Sequence, residues 1–276
     1  MNDFTVAVAQ MFPVLGDIGA NLAKMAAMVE QICHEQHADL IVFPELATTG
    51  IENGVGFNAM AERLPAGHQF NLLARKAADF NTHIVFGMPI KEKIETTVYN
   101  AAVVIGPDGN LIGDYRKIHL LGEEKLSFRS GYRFSVFDTS LGALGVMIGW
   151  DLAFPEAARA LTLLGAEILC LPAAYEACYE QEWRAFTMSR AVENGVYLLA
   201  SNRVGEEPSR TFLGESVIVA PDGTVLSMIE RDVEMDVTTG YAFAQINTDA
   251  VRQYREQCQF IMARSPSSYG AIVKKY

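Results

Sequence analysis

The sequence predicts an α/β fold on three observations. Short apolar runs alternate with longer amphipathic ones, the alternation runs twice along the chain, and each round closes on a Pro-Asp-Gly hairpin signal. In the first round Phe4 to Met11 reads as a strand, Ile18 to Glu35 as a helix, Leu40 to Phe43 as a strand, Gln69 to Asn81 as a helix and Ile84 to Gly87 as a strand. Ala101 to Ile105 and Leu111 to Tyr115 then bracket Pro107-Asp108-Gly109, a hairpin with turn chemistry at its tip. The second round reads Gly145 to Ile148 as a strand, Phe154 to Leu164 as a helix, Glu167 to Leu171 as a strand, Gln181 to Asn194 as a helix and Tyr197 to Ser201 as a strand. A further hairpin brackets Pro221-Asp222-Gly223. Periodicity alone carries the fold no further than α/β.

A chain of 276 residues, half of them hydrophobic, can bury a large core. Its ten prolines and 22 glycines are scattered at turns, and no low-complexity tract marks a linker, so a single domain over 1–276 is expected. The net charge of -11 comes from dispersed carboxylates, which repel polyanions and argue against nucleic acid as a partner. The amino-terminal segment lacks a basic stretch followed by a long apolar one, and no apolar run approaches a membrane span. These features favour a soluble cytoplasmic protein with no membrane partner. Cys33, Cys170, Cys178 and Cys258 match no zinc or redox spacing and read as reduced thiols. Cys170, inside the apolar run Ile168-Leu169-Cys170-Leu171-Pro172, reads as a strand residue rather than a nucleophile. His34 and His37, placed on the rear of a helix, find no partner spacing for a metal.

Four separated motifs carry chemistry. Glu45 ends Leu40-Ile41-Val42-Phe43-Pro44-Glu45, at a strand end, where side chains often project into a cleft. Lys117 lies in Asp114-Tyr115-Arg116-Lys117-Ile118-His119, and Glu124 opens Glu124-Lys125-Leu126-Ser127-Phe128-Arg129-Ser130-Gly131. The fourth, Met147-Ile148-Gly149-Trp150-Asp151-Leu152-Ala153-Phe154-Pro155-Glu156, has the shape of a nucleophile turn between a strand and a helix.

In this order the motifs resemble the nitrilase, or carbon-nitrogen hydrolase, superfamily over nearly the whole chain. Tyr99-Asn100-Ala101-Ala102 before the lysine, and Arg190-Ala191-Val192-Glu193-Asn194 and Ser201-Asn202-Arg203 after the turn, extend the resemblance. It implies a four-layer α-β-β-α sandwich of pseudo-symmetric halves. It also implies a homodimer or larger homo-oligomer, with the C-terminal segment from about residue 250 to 276 at the interface. The implied activity is hydrolysis of a small carboxamide to carboxylate and ammonia, in an amidase-like branch, with no cofactor and no metal.

The implied roles follow residue by residue. Glu45 resembles the general base. Lys117, with the backbone N–H of Trp150, faces the developing oxyanion, and Glu124 holds Lys117. Glu123 is the rival for that last role, and the Lys-x-x-Phe-x-x-Gly spacing favours Glu124. Trp150 and Tyr175, each just past a strand, are expected as pocket walls, whereas Tyr179 and Trp183 suit an interface equally well. Asp151 is expected to cap the turn or the following helix, and His119, on the same strand face as Lys117, to hydrogen-bond structurally.

Where the family carries a cysteine, this chain has Gly149. Glycine supplies no nucleophile, so the covalent chemistry of the family is closed to the chain. Retention of two acids and a lysine points to a working parent enzyme whose nucleophile has been substituted. The alternatives are a natural pseudoenzyme that binds a small amide or amino acid without turnover, or a parent that acts on N-carbamoyl compounds or nitriles.

Overall fold

A computed structural model describes residues 3–92, 97–230 and 238–274. The first half of the chain runs β1 (Phe4–Gln10), α1 (Ile18–Glu35), β2 (Leu40–Val42), a single turn α2 (Phe57–Met60), α3 (His68–Phe80), β3 (His83–Lys91), β4 (Val98–Ile105) and β5 (Leu111–Arg116). The second runs α4 (Glu124–Ser127), β6 (Val136–Thr139), β7 (Gly142–Val146), α5 (Pro155–Leu163), β8 (Ile168–Ala173), α6 (Glu180–Val192) and β9 (Tyr197–Asn202). The hairpin β10 (Val204–Glu207) and β11 (Arg210–Leu213) follows, then β12 (Val217–Val219), β13 (Val225–Met228), β14 (Gly240–Ile246) and α7 (Asp249–Cys258).

Two six-stranded sheets result, ordered β14-β1-β2-β3-β4-β5 and β13-β12-β9-β8-β7-β6. In each, three parallel strands (β1-β2-β3 and β7-β8-β9) are flanked by one antiparallel strand on one side and two on the other. The two halves therefore repeat one pairing pattern, and the first borrows its edge strand β14 from the far end of the chain.

Strand periodicity decides the layers. Along β1, Ala7 and Ala9 pack with Leu22, Met25 and Ile32 of α1 and Leu73 and Ala77 of α3, while Val6 and Val8 turn to the other face. There they meet Leu144, Val146, Ile168 and Leu199 of the second sheet. Beyond that sheet, Leu169, Leu171 and Leu198 pack against Ala157, Ala158 and Leu161 of α5 and Trp183 and Ala191 of α6. The architecture is an α-β-β-α sandwich, and fully burying each Val, Leu or Ile side chain in it contributes about 1.5–3 kcal/mol.

Several boundaries differ from the sequence reading. β7 starts three residues earlier and stops at Val146, although Met147 N–H still donates to Cys170 O of β8 at 3.0 Å and the turn opens only at Gly149. β3 runs to Lys91, since its second half pairs with β4. Lys117 and His119 do not share a strand face, because β5 ends at Arg116. His37 lies beyond α1, which stops at Glu35. Among the described residues no helix is long and apolar enough to cross a membrane.

Candidate active site

The site forms where loops from both sheets meet. Glu45, three residues past β2, sits on a segment bonded to both: Phe43 N–H donates to Val85 O at 2.8 Å and Glu45 N–H to Ala173 O at 3.3 Å. Gly87 on β3 admits this segment, since a Cβ there would stand 2.7 Å from Glu45 Cα. Leu46, the next residue, takes a left-handed φ of 45°, a costly conformation for a branched side chain and one that concentrates at functional sites.

Lys117 is fixed from β4, its N–H donating to Asn100 O at 2.9 Å. Its ammonium donates to Glu45 Oε1 at 2.7 Å and to both oxygens of Glu124 at 2.8 and 2.9 Å. Asn100 Nδ2 also donates to Glu45 Oε1, at 2.7 Å. The Glu124 carboxylate is braced by Leu121 N–H at 2.8 Å. Glu45 and Lys117 are only 2% and 4% exposed, so these charges sit in low dielectric, where an unpaired one costs several kcal/mol.

Burial pushes the Glu45 carboxyl above its ordinary value, Lys117 opposes this and Glu124 adds to it. Burial alone pulls the Lys117 ammonium down, but the combined fields and hydrogen bonds of Glu45 and Glu124 outweigh it and hold the lysine protonated above its usual range. The cluster is a cation held between two acids.

Gly149 opens a 3₁₀ turn, Gly149–Ala153, with φ of 44°. The Asp151 carboxylate ties this turn to the first half of the chain. It accepts from Ile148 N–H at 3.0 Å, Tyr115 Oη at 2.8 Å, His119 N–H at 3.0 Å and the His119 ring at 2.7 Å. Arg190 of α6 holds the far side of the turn, Nε donating to Leu152 O at 3.0 Å and a terminal nitrogen to Ala153 O at 3.3 Å. A Cβ built on Gly149 would overlap Glu45 Oε2 and stand 3.1 Å from Glu45 Cδ. Glu45, Lys117, Glu124 and Gly149 thus lie together.

Glu45, Lys117 and Glu124 border a small cleft whose walls include Trp150, Tyr175 and Tyr179. Trp150 stacks on Tyr175 with ring centroids 6.1 Å apart, and Tyr179 tilts against Trp150 at 5.9 Å. Tyr175 Oη is buried without a hydrogen-bond partner among the described residues, and burial raises its pKa. Arg210 and Glu176 pair at 3.1 Å at the rim. A larger groove lies between α5, α6 and the C-terminal segment, but its lining gathers no buried acid-base cluster, so the smaller cleft is the chemical one.

The sequence profile of the carbon-nitrogen hydrolases matches residues 5–256. The chain belongs to the carbon-nitrogen hydrolase family. It is 39% identical over 231 residues to a probable nitrilase of Schizosaccharomyces pombe, covering 83% of this chain and 85% of that protein. It is 30% identical to the N-carbamoylputrescine amidase of Arabidopsis thaliana, covering 97% and 95%. Among solved structures, a carbon-nitrogen hydrolase from Helicobacter pylori superposes with a TM-score of 0.86 at 26% identity, covering 99% of each chain.

Within this carbon-nitrogen hydrolase fold, Trp150 and Tyr175 line the cleft, and Glu123 stands outside the ion-pair cluster that Glu124 joins. Asp151 caps its own turn rather than α5, whose N-cap Phe154 offers no side-chain bond. His119 bonds Asp151 and stacks on Phe154 at 3.7 Å. Tyr179 lines the cleft. Trp183 is a core residue, 1% exposed, its Nε1 donating to Glu215 O at 3.0 Å. Sequence reasoning missed Asn100, Glu176 and Arg210 as site residues. Asn100 had one signal, a polar residue inside the apolar strand Val98–Ile105; the other two had none.

Proposed function

We propose that the cleft binds a small carboxamide, and that Glu45, Lys117 and Glu124 are the acid-base and oxyanion groups of an amide hydrolase whose nucleophile position is residue 149. The observation that carries this reading is the buried Lys117 ammonium, shared by two carboxylates beside the Gly149 turn. With a thiol at 149, Glu45 takes its proton as it attacks the amide carbon. Lys117 and the Trp150 N–H receive the oxyanion, and Glu45 returns the proton to the leaving amine. Glu124 keeps Lys117 aimed and charged. The similarity to an N-carbamoylputrescine amidase supports an amide-type substrate.

In the chain as it stands that covalent route is closed. Loss of a nucleophile costs on the order of 10⁶-fold in turnover in a hydrolase whose groups act as a unit. Gly149→Cys tests the reading: the variant is expected to release ammonia from at least one member of a panel of small carboxamides, N-carbamoyl amino acids and nitriles. A folded variant inert toward all of them removes the hydrolase reading. A second reading, a binding protein for a small amide, is favoured by Gly149 itself. Saturable binding in calorimetry that is lost in Lys117→Ala, with Gly149→Cys inert, is its expected signature.

A further inference from the structure

The two oxygens of Glu45 differ in their partners. Oε1 is held by Asn100 Nδ2 and Lys117 Nζ, each at 2.7 Å. Oε2 accepts a hydrogen bond from no described group and lies in the space where a side chain at position 149 would begin. Glu45 lines the cleft, and Oε2 is its oxygen left without a donor among the described residues. Because glycine has no Cβ, the room where a side chain at position 149 would begin is here taken by a carboxylate oxygen.

We propose that this chain hydrolyses small carboxamides without a thiol, by direct attack of a water molecule that Glu45 Oε2 deprotonates beside Gly149. The inference rests on the amide-binding reading of the cleft. The water oxygen bonds to the amide carbon, its proton passes to Oε2, and the carbonyl electron pair moves to an oxygen facing Lys117. Collapse of the tetrahedral intermediate re-forms the carbonyl and breaks the carbon–nitrogen bond, while the proton on Oε2 passes to the leaving nitrogen. The products are the carboxylic acid and ammonia, water is the only co-reactant, and no acyl-enzyme forms.

Three features of the site suit this step. The base is positioned by two donors on one oxygen, so the other keeps its direction without rearrangement. Burial raises the basicity of the carboxylate, which favours proton abstraction from water. The Lys117 ammonium, kept charged by its two acids, is independent of residue 149.

The test uses the chain unaltered, with trifluoroacetamide as an activated substrate and trifluoroacetate formation followed by ¹⁹F NMR. The expected result is hydrolysis about 10³-fold above buffer, the scale left by binding and oxyanion contacts once a nucleophile is gone. Glu45→Gln is expected to lower that rate about 100-fold, the usual worth of a general base. Gly149→Ala, whose methyl displaces Oε2, is expected to lower it similarly, with circular dichroism confirming that both variants fold. Intact-protein mass spectra after acid quench are expected to show no acyl adduct on this chain. A rate equal to buffer, or one unchanged in Glu45→Gln or Gly149→Ala, overturns the proposal. If Gly149→Cys then hydrolyses the same amide, only the thiol-free route has failed; if it too is inert, the amide-hydrolase reading falls with it.

Discussion

Glu45 is pulled in two directions, by burial toward the neutral acid and by Lys117 toward the anion, and its pH behaviour follows from that balance. In Gly149→Cys, where hydrolysis needs the ionised carboxylate, kcat/KM should fall as pH drops through the Glu45 ionisation. Because that ionisation lies above the ordinary glutamate value, the acid limb should sit higher than an exposed glutamate would give. The charged and titratable groups bearing on it are Lys117, Glu124, Tyr175 and Arg203. Glu124 pushes Glu45 upward, so Glu124→Gln should move the limb to lower pH, whereas merely structural damage lowers kcat/KM and leaves the limb in place. At this scale the sequence showed Glu45, Lys117, Glu124 and Gly149 as motifs. It could not show the Asn100 bond, which spans 55 positions, or that Glu45 Oε2 lies where a Cβ at position 149 would stand.

The elements carry the site through close backbone approaches. Gly87 lets the Glu45 segment lie against β3, and a methyl there would press on Glu45 Cα at 2.7 Å. Gly87→Ala should therefore cost about 1–3 kcal/mol, as overpacking does. It should also weaken amide binding, and both are measurable by urea denaturation and calorimetry. An alanine variant of unchanged stability and affinity would show that the segment is not held by this contact. Long apolar or amphipathic runs such as α1, α3 and β4 were legible because periodicity marks them. The hairpin β10–β11, the edge strands β6 and β14, and α7 went unread. α7 buries only Val251 within its length, and β6 keeps no residue fully buried, so neither shows a core stripe for periodicity to find.

At the scale of the molecule, burial sorts the cysteines. Cys170 lies between the sheets with its thiol pushed up to about 12, while Cys178 is exposed in the turn before α6. At pH 8 iodoacetamide should label Cys178 in the native protein and reach Cys170 only with global unfolding. Mass spectrometry across a urea series reads both, and early labelling of Cys170 would show that the sheets part before the domain melts. The homo-oligomer implied by the family resemblance has a candidate surface in the C-terminal segment, where Phe260, Met262, Ile272 and Val273 are exposed. Met262→Asp with Val273→Asp should shift sedimentation toward the monomer, and an unchanged sedimentation coefficient would place any association elsewhere. α/β character was legible because repeated alternation reports it, and the layering of two sheets came from the family resemblance; strand order was not legible, because it is a long-range property.

The loan of β14 to the first sheet has a consequence in time. β1 keeps one edge of backbone donors and acceptors open until residues 240–246 arrive to pair with it in antiparallel register. At a synthesis rate of about 5–20 residues per second, that wait lasts on the order of 10–50 s on the ribosome. For that interval the nascent first half exposes an apolar edge strand, Phe4–Gln10, to any other chain that can pair with it. A chain cut short before Gly240 never closes this edge, so truncation near the carboxyl terminus damages the sheet that begins at the amino terminus.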